Sequence, residues 1–152
     1  MTKKRTGEPW MTADAYGRTL IGLSVNLIVR DIGRSLPFYT GVLGFRARYS
    51  DVDFAALDRD GVRIQLHADH TYDGMPWASR LREAGKRGLG AEVRILGLDP
   101  DAAESRARER GDTVLVATKD WPHGWRDCIL EDPDGYTFAV GVPLGDRREA
   151  RP

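Results

Sequence analysis

The sequence predicts an α+β fold of two tandem βαβββ modules, and three observations predict it. The order strand, helix, strand, strand, strand is legible over residues 20–68 and returns over residues 89–143. The second run closes on Asp132-Pro133-Asp134-Gly135, a turn whose proline presets φ and whose glycine accepts a positive one. Past that turn Tyr136, Phe138 and Val140 alternate with Thr137, Ala139 and Gly141, so the last strand shows an apolar side to a core and a small, open side elsewhere.

The elements follow in order. Residues 1–18 are polar and without periodicity, and are expected to be a flexible N-terminal segment, as are residues 144–152 at the other end. Leu20 to Arg30 alternates as a strand, with Val25, Leu27 and Val29 on one face and Ser24, Asn26 and Ile28 on the other. Asp31 is placed to cap a helix from Ile32 to Gly41, in which Pro37 removes an interior N–H and threatens a kink. Phe45 to Ser50 and Asp53 to Asp58 read as strands, and Arg59-Asp60-Gly61 turns the chain into a third, Val62 to Ala68. Residues 69–88 form a linker with a charged helical piece from Trp77 to Lys86. The order then begins again. Gly90 to Leu96 alternates, Asp99-Pro100 caps and opens a helix that stops at Gly111, and Asp112 to Thr118 is a strand. Lys119 to Gly124 is a loop before the closing hairpin.

Bulk composition narrows the function. At 152 residues the chain suits one domain, 19–143, with enough core to bury roughly two-thirds of its unfolded surface. Lys+Arg and Asp+Glu balance at 23 each, which argues against nucleic acid and anionic membranes as partners. A single cysteine, Cys128, allows no internal disulfide, and no apolar run reaches the length of a membrane span, so a cytoplasmic setting is expected. Cys128 sits mid-strand and reads as an inert thiol.

The run Val29-Arg30-Asp31-Ile32-Gly33-Arg34-Ser35-Leu36-Pro37-Phe38-Tyr39, with Val42-Leu43-Gly44-Phe45 and Glu131-Asp132-Pro133-Asp134-Gly135-Tyr136, resembles the vicinal oxygen chelate superfamily. That group takes in glyoxalase I, extradiol dioxygenases, fosfomycin resistance enzymes and bleomycin resistance proteins. The resemblance implies the glyoxalase/bleomycin resistance fold, in which each module curls a mixed sheet, and it implies a homodimer. It speaks to fold more than reaction, because members share architecture and differ in chemistry. Enzymes of the group hold a divalent metal on the first and fourth strands of each module. The matching positions here are Ser24, Gln65, Gly90 and Ala139, none a good ligand for Zn, Ni or Fe, so no metal or other cofactor is expected and catalysis is left undecided. A metal site displaced by two residues would instead draw on His67 and Glu92, completed by His70 or His123; this keeps open a metal-dependent lyase or dioxygenase.

The inward faces implied by the resemblance carry Ser24, Asn26, Ile28, Arg63, Gln65, His67, Gly90, Glu92, Arg94, Thr137 and Ala139. Small residues leave room and polar ones offer hydrogen bonds, the make-up of a pocket for a small molecule. In that reading Arg63 and Arg94 hold an anionic or hydrogen-bonding ligand; in the plainer one Arg63, Glu92 and Arg94 satisfy one another. Trp121 and Trp125, near Asp120 in the loop before the hairpin, resemble the aromatic loops of the bleomycin resistance branch and would stack on a planar ligand, with Tyr72 and Trp77 as a further wall; alternatively they cap the fold or a subunit contact. No Ser-His-Asp or Cys-His spacing is present, and His67 with Glu92 is the one candidate acid/base pair, suited to enolisation or epimerisation. The leading expectation is metal-independent binding of an antibiotic or metabolite, with Asn26, Arg63, Gln65, His67, Glu92, Arg94, Trp121 and Trp125 as the ligand-binding set.

Overall fold

A computed structural model describes residues 4–145. The chain divides into two compact units, one made of residues up to Thr40 with Gly44–Ala84, the other of Gly41–Leu43 with Gly85 onward. Each contains one four-stranded mixed sheet, curled but not closed. Among the described residues no helix is long and apolar enough to cross a membrane.

The first unit opens with a short helix α1 (Ala13–Gly17), capped by the Thr12 hydroxyl, followed by strand β1 (Val25–Val29) and helix α2 (Ile32–Gly41). Strands β2 (Arg46–Ser50), β3 (Phe54–Arg59) and β4 (Val62–Ala68) complete its sheet in the order β1-β4-β3-β2. β1 lies parallel to β4 and the other pairs are antiparallel. Asp31 caps α2 as expected, its Oδ1 accepting the Arg34 N–H at 2.8 Å, and Pro37 is carried inside a helix that still runs to Gly41. The strand expected from Leu20 starts only at Val25, because turns at Thr19 and Leu20 and a left-handed Gly22 (φ 67°) occupy the residues before it. Leu27, Val29, Leu57, Ile64 and Leu66, with Ile32, Phe38 and Tyr39 of α2, form the buried core. Burying each such side chain contributes roughly 1.5–3 kcal/mol.

After β4 the linker makes one turn of 3₁₀ helix (Asp69–Tyr72) and helix α3 (Ala78–Glu83). The second unit then repeats the plan: strand β5 (Glu92–Leu96), helix α4 (Pro100–Arg110), and strands β6 (Thr113–Asp120), β7 (Trp125–Glu131) and β8 (Thr137–Pro143), in the order β5-β8-β7-β6. Asp99 caps α4 through Oδ1, Pro100 opens it and Gly111 (φ 75°) ends it, as the sequence predicts. Ala103 and Ala107, four apart and fully buried, let this helix lie close on β6, β7 and β8. Two boundaries move. A turn at Gly88 and a left-handed Gly90 (φ 86°) delay β5 to Glu92, and β6 runs on through Lys119 and Asp120, which pair with Asp127 and Arg126 where a loop was expected.

The Asp132–Gly135 turn is as expected in form: the Gly135 N–H reaches the Asp132 carbonyl at 3.0 Å, and Gly135 takes a φ of 95°. It is also buried, which its composition hides. Asp134 is 1% exposed and faces the equally enclosed Arg87 at 3.9 Å, while Arg87 and Gly88 give their N–H groups to the Asp134 and Gly135 carbonyls.

Candidate functional site

The alternation of the first module leaves its sheet with one polar, open face. Register sets Asn26 beside Gln65, Gln65 beside Ala56, and His67 beside Phe54. Gln65 gives an amide N–H to the Ser24 hydroxyl (2.9 Å), and His67 Nδ1 meets Asn26 Oδ1 (2.6 Å), whose Nδ2 donates to the Tyr72 hydroxyl (2.7 Å). The His67 ring leans on Phe54 at 4.7 Å and edges Tyr72 at 5.6 Å. This burial holds its pKa below the usual imidazole value, so the ring is neutral near pH 7.

Residues Arg5 to Arg18, expected to be flexible, make defined contacts over this face. Trp10 stacks on Tyr49 (5.3 Å, 16° between planes), and Tyr16 sets its ring edge-on to Phe54 (5.2 Å, 72°). Arg5 anchors the segment: its NH1 donates to Asp51 at 2.9 Å and its backbone N–H to Asp53 at 3.0 Å. Burial alone pushes the Asp51 carboxyl upward, but the Tyr49 hydroxyl and Arg5 outweigh it and hold it below the ordinary value. Asp53 also receives His70 Nε2 at 2.7 Å. Between segment and sheet lies a cavity of about 360 Å³, bounded by Trp10, Tyr16, Tyr49, Phe54, Gln65 and His67 among others. That volume is within the range of small-molecule sites.

The second module fills the corresponding face with ion pairs. Arg94 bridges Glu92 (3.2 Å) and Asp127 (3.3 Å), and Asp127 accepts the Trp121 indole N–H. Lys119 sits 3.8 Å over the Trp121 ring, with His123 stacked against it at 5.9 Å. Asp120 is taken by Arg126 at 2.8 Å. Trp125 begins β7, where its carbonyl accepts the Trp121 N–H. Cys128 is fully buried, which drives its thiol pKa up to about 11, as suits an inert residue.

Of the residues selected from sequence, Asn26, Arg63, Gln65 and His67 therefore share one sheet face, and Glu92, Arg94 and Trp121 share another. Of the plainer alternative, in which Arg63, Glu92 and Arg94 satisfy one another, Glu92 and Arg94 do pair at 3.2 Å, and Arg63 donates to the Thr19 carbonyl and hydroxyl. The sequence reading missed Trp10, Tyr16, Tyr49 and Phe54. The signal for the first two was Trp10 and Tyr16 themselves, with Met11, in a segment judged by its polarity alone.

A tandem pair of βαβββ units, one of them hollow on its polar side, defines a small α+β protein class in which the site lies on a curled sheet. The glyoxalase/bleomycin resistance protein/dioxygenase superfamily model matches residues 23–140, and the chain belongs to that superfamily. Solved structures share the fold. A glyoxalase-related enzyme from Fulvimarina pelagi superposes with a TM-score of 0.67 at 15% identity, covering 80% of this chain and 87% of its own. A glyoxalase/bleomycin resistance protein/dioxygenase family enzyme from Burkholderia phytofirmans PsJN gives 0.65 at 24% identity, with 80% and 97% covered. A glyoxalase/bleomycin resistance protein/dioxygenase from Nocardioides gives 0.62 at 21%, with 87% and 93% covered. No curated protein matches.

The residues at the superfamily's metal positions do not suit a divalent ion. Ser24 and Gln65 are bonded to each other, Gly90 lies in the turn before β5, and Ala139 offers a methyl group. The displaced set fares no better as a donor set. Glu92 is engaged by Arg94 and His70 by Asp53, which leaves His67 Nε2 alone, and among the described residues no three His, Cys, Asp or Glu side chains converge as a metal would require.

Proposed function

We propose that this protein binds a small organic molecule, a metabolite or an antibiotic, without a metal, in the cavity of its first module. The observation that carries the reading is the cavity itself, walled by Trp10, Tyr16, Tyr49 and Phe54 and floored by Gln65 and His67. Rings supply contact area at little conformational cost, and a few polar atoms set orientation. Asn26 serves by fixing His67, and Arg63 by tying the Thr19 end of the covering segment to β4. Glu92, Arg94, Trp121 and Trp125 belong to a face whose charges are already matched, which favours the first module as the primary site. We propose a cytoplasmic homodimer as the working form; Ile21 and Leu23, about nine-tenths exposed, are apolar surface that a second copy would cover.

The test is a ligand screen by calorimetry on protein before and after demetallation, repeated with Tyr49→Ala and Phe54→Ala. Binding is expected to survive demetallation and to weaken by about tenfold or more in each variant, the loss typical of removing a buried aromatic contact. Binding that vanishes with a stoichiometric divalent ion and returns on adding it back would overturn this in favour of a metal-dependent enzyme.

A further inference from the structure

We infer that the first-module cavity takes an uncharged, planar aromatic molecule carrying a hydrogen-bond donor, and that Trp10 is the residue that selects for the flat ring. The inference rests on that cavity being a binding site and adds what it binds. Three features of the cavity carry it.

The first is charge. Arg5 and Asp53 are the charged side chains on the cavity wall, and each is ion-paired, while the enclosed Arg5 Nε–H meets no acceptor. Arg5 NH1 holds Asp51 at 2.9 Å and its NH2 lies 3.9 Å from Asp53, while Asp53 Oδ1 also takes the Arg5 backbone N–H and His70 Nε2. An ionised ligand would lose its hydration here and meet charges already paired within the wall, a heavy penalty.

The second is the polarity of the floor. Asn26 gives its amide N–H to Tyr72, so the atom it turns to His67 Nδ1 is an oxygen, and an oxygen there accepts. Nδ1 therefore carries the ring's proton, and the neutral imidazole keeps Nε2 as a bare lone pair. Gln65 uses its Nε2 on Ser24, which leaves Oε1 without a protein donor among the described residues. Two acceptors without protein donors therefore lie on one floor. A ligand hydroxyl or ring N–H satisfies them; a carboxylate or an ether that displaces their water leaves them covered and unpaired, which is costly.

The third is the arrangement of rings. Trp10 is 44% exposed and held mainly by its stack on Tyr49, with Tyr16 a further 6.0 Å away, whereas Tyr16 and Phe54 are set edge-to-face behind it. Trp10 is thus the most exposed ring on the wall, and the face that Tyr49 does not cover is the one we assign to a planar guest.

The experiment uses three probes with one ring system, titrated calorimetrically into the full chain at neutral pH: 2-naphthol, 2-methoxynaphthalene, which lacks the donor, and 2-naphthoate, which is charged. 2-Naphthol is expected to bind about tenfold or more tightly than either of the others, and Gln65→Leu to shrink that preference. Trp10→Ala should weaken 2-naphthol by about tenfold and Trp10→Phe by far less, both with unchanged far-ultraviolet circular dichroism. If the probes bind and Tyr49→Ala weakens all of them, but 2-naphthol has no preference or Trp10→Ala no effect, the inference is overturned while the cavity stands as the site. If no probe binds, or binding ignores Tyr49→Ala, the inference and the reading beneath it both fail.

Discussion

The two modules have the same connectivity and opposite interiors on their polar faces. The first is hollow: its sheet presents amide, imidazole and aromatic groups to a cavity roofed by residues from the N-terminal segment. The second is filled: Glu92, Arg94, Asp127 and Trp121 bond one another in a chain across β5, β7 and the end of β6. Their hairpins differ in the same sense. Asp60-Gly61 turns in open solvent, whereas Asp132–Gly135 is enclosed by Lys86, Arg87 and Gly88. A duplicated fold has thus divided labour, one copy keeping space and the other spending it on internal contacts.

The strongest way to break that comparison is at the enclosed turn. Asp134→Ala removes a buried carboxylate that faces the enclosed Arg87, and should cost about 3–5 kcal/mol in thermal or urea unfolding. A loss under about 1 kcal/mol, the level of a surface pair, would show that the turn is solvated and the contrast between hairpins false. Matched glycine substitutions come next. Both Gly61 (φ 80°) and Gly135 (φ 95°) are left-handed, so alanine costs roughly 1–2 kcal/mol of backbone strain at either. At Gly135 the new methyl would also lie 2.8–3.0 Å from Lys86, whereas at Gly61 it would meet nothing within 4 Å. Gly135→Ala should therefore destabilise by about 1–3 kcal/mol more than Gly61→Ala.

The fold was legible because its signals are local. Asp31 and Asp99 before apolar periodicity, Gly111 after it, and alternation in β4 and β8 each report a backbone preference that the structure keeps. The site was legible on strands and illegible elsewhere. Gln65 and His67 follow from period two, but nothing local says that Trp10 will find Tyr49, thirty-nine positions on (49 minus 10). The same limit hid the partners of Arg63 and Arg94, since opposite charges in a sequence do not state which strand they will share.

A smaller effect separates filling from binding in the second module. Arg94 is half-exposed, so Arg94→Ala should cost only about 1 kcal/mol while shifting Trp121 emission, because Asp127 loses the cation that balances it beside the indole N–H. If the variant instead abolished ligand binding with stability intact, the filled face would be a site in its own right.

The smallest expected effect tests the hollow module through His67. Its folded pKa lies below the ordinary imidazole value of 6.5 because burial disfavours the imidazolium. The unfolded chain then binds the proton more readily, so the stability linked to this ring is fully present above pH 6.5 and is lost as pH falls toward the folded pKa. Contributions common to both proteins cancel in the difference between wild type and His67→Gln, which is the informative quantity. From pH 7.5 down to 5 the wild-type urea midpoint should fall more steeply than that of the variant, and the two curves should run parallel above pH 6.5. Parallel curves throughout would mean that His67 is hydrated in the folded state; the cavity would then be an open groove, and its floor would lack the dry acceptors on which selection by a ligand donor depends.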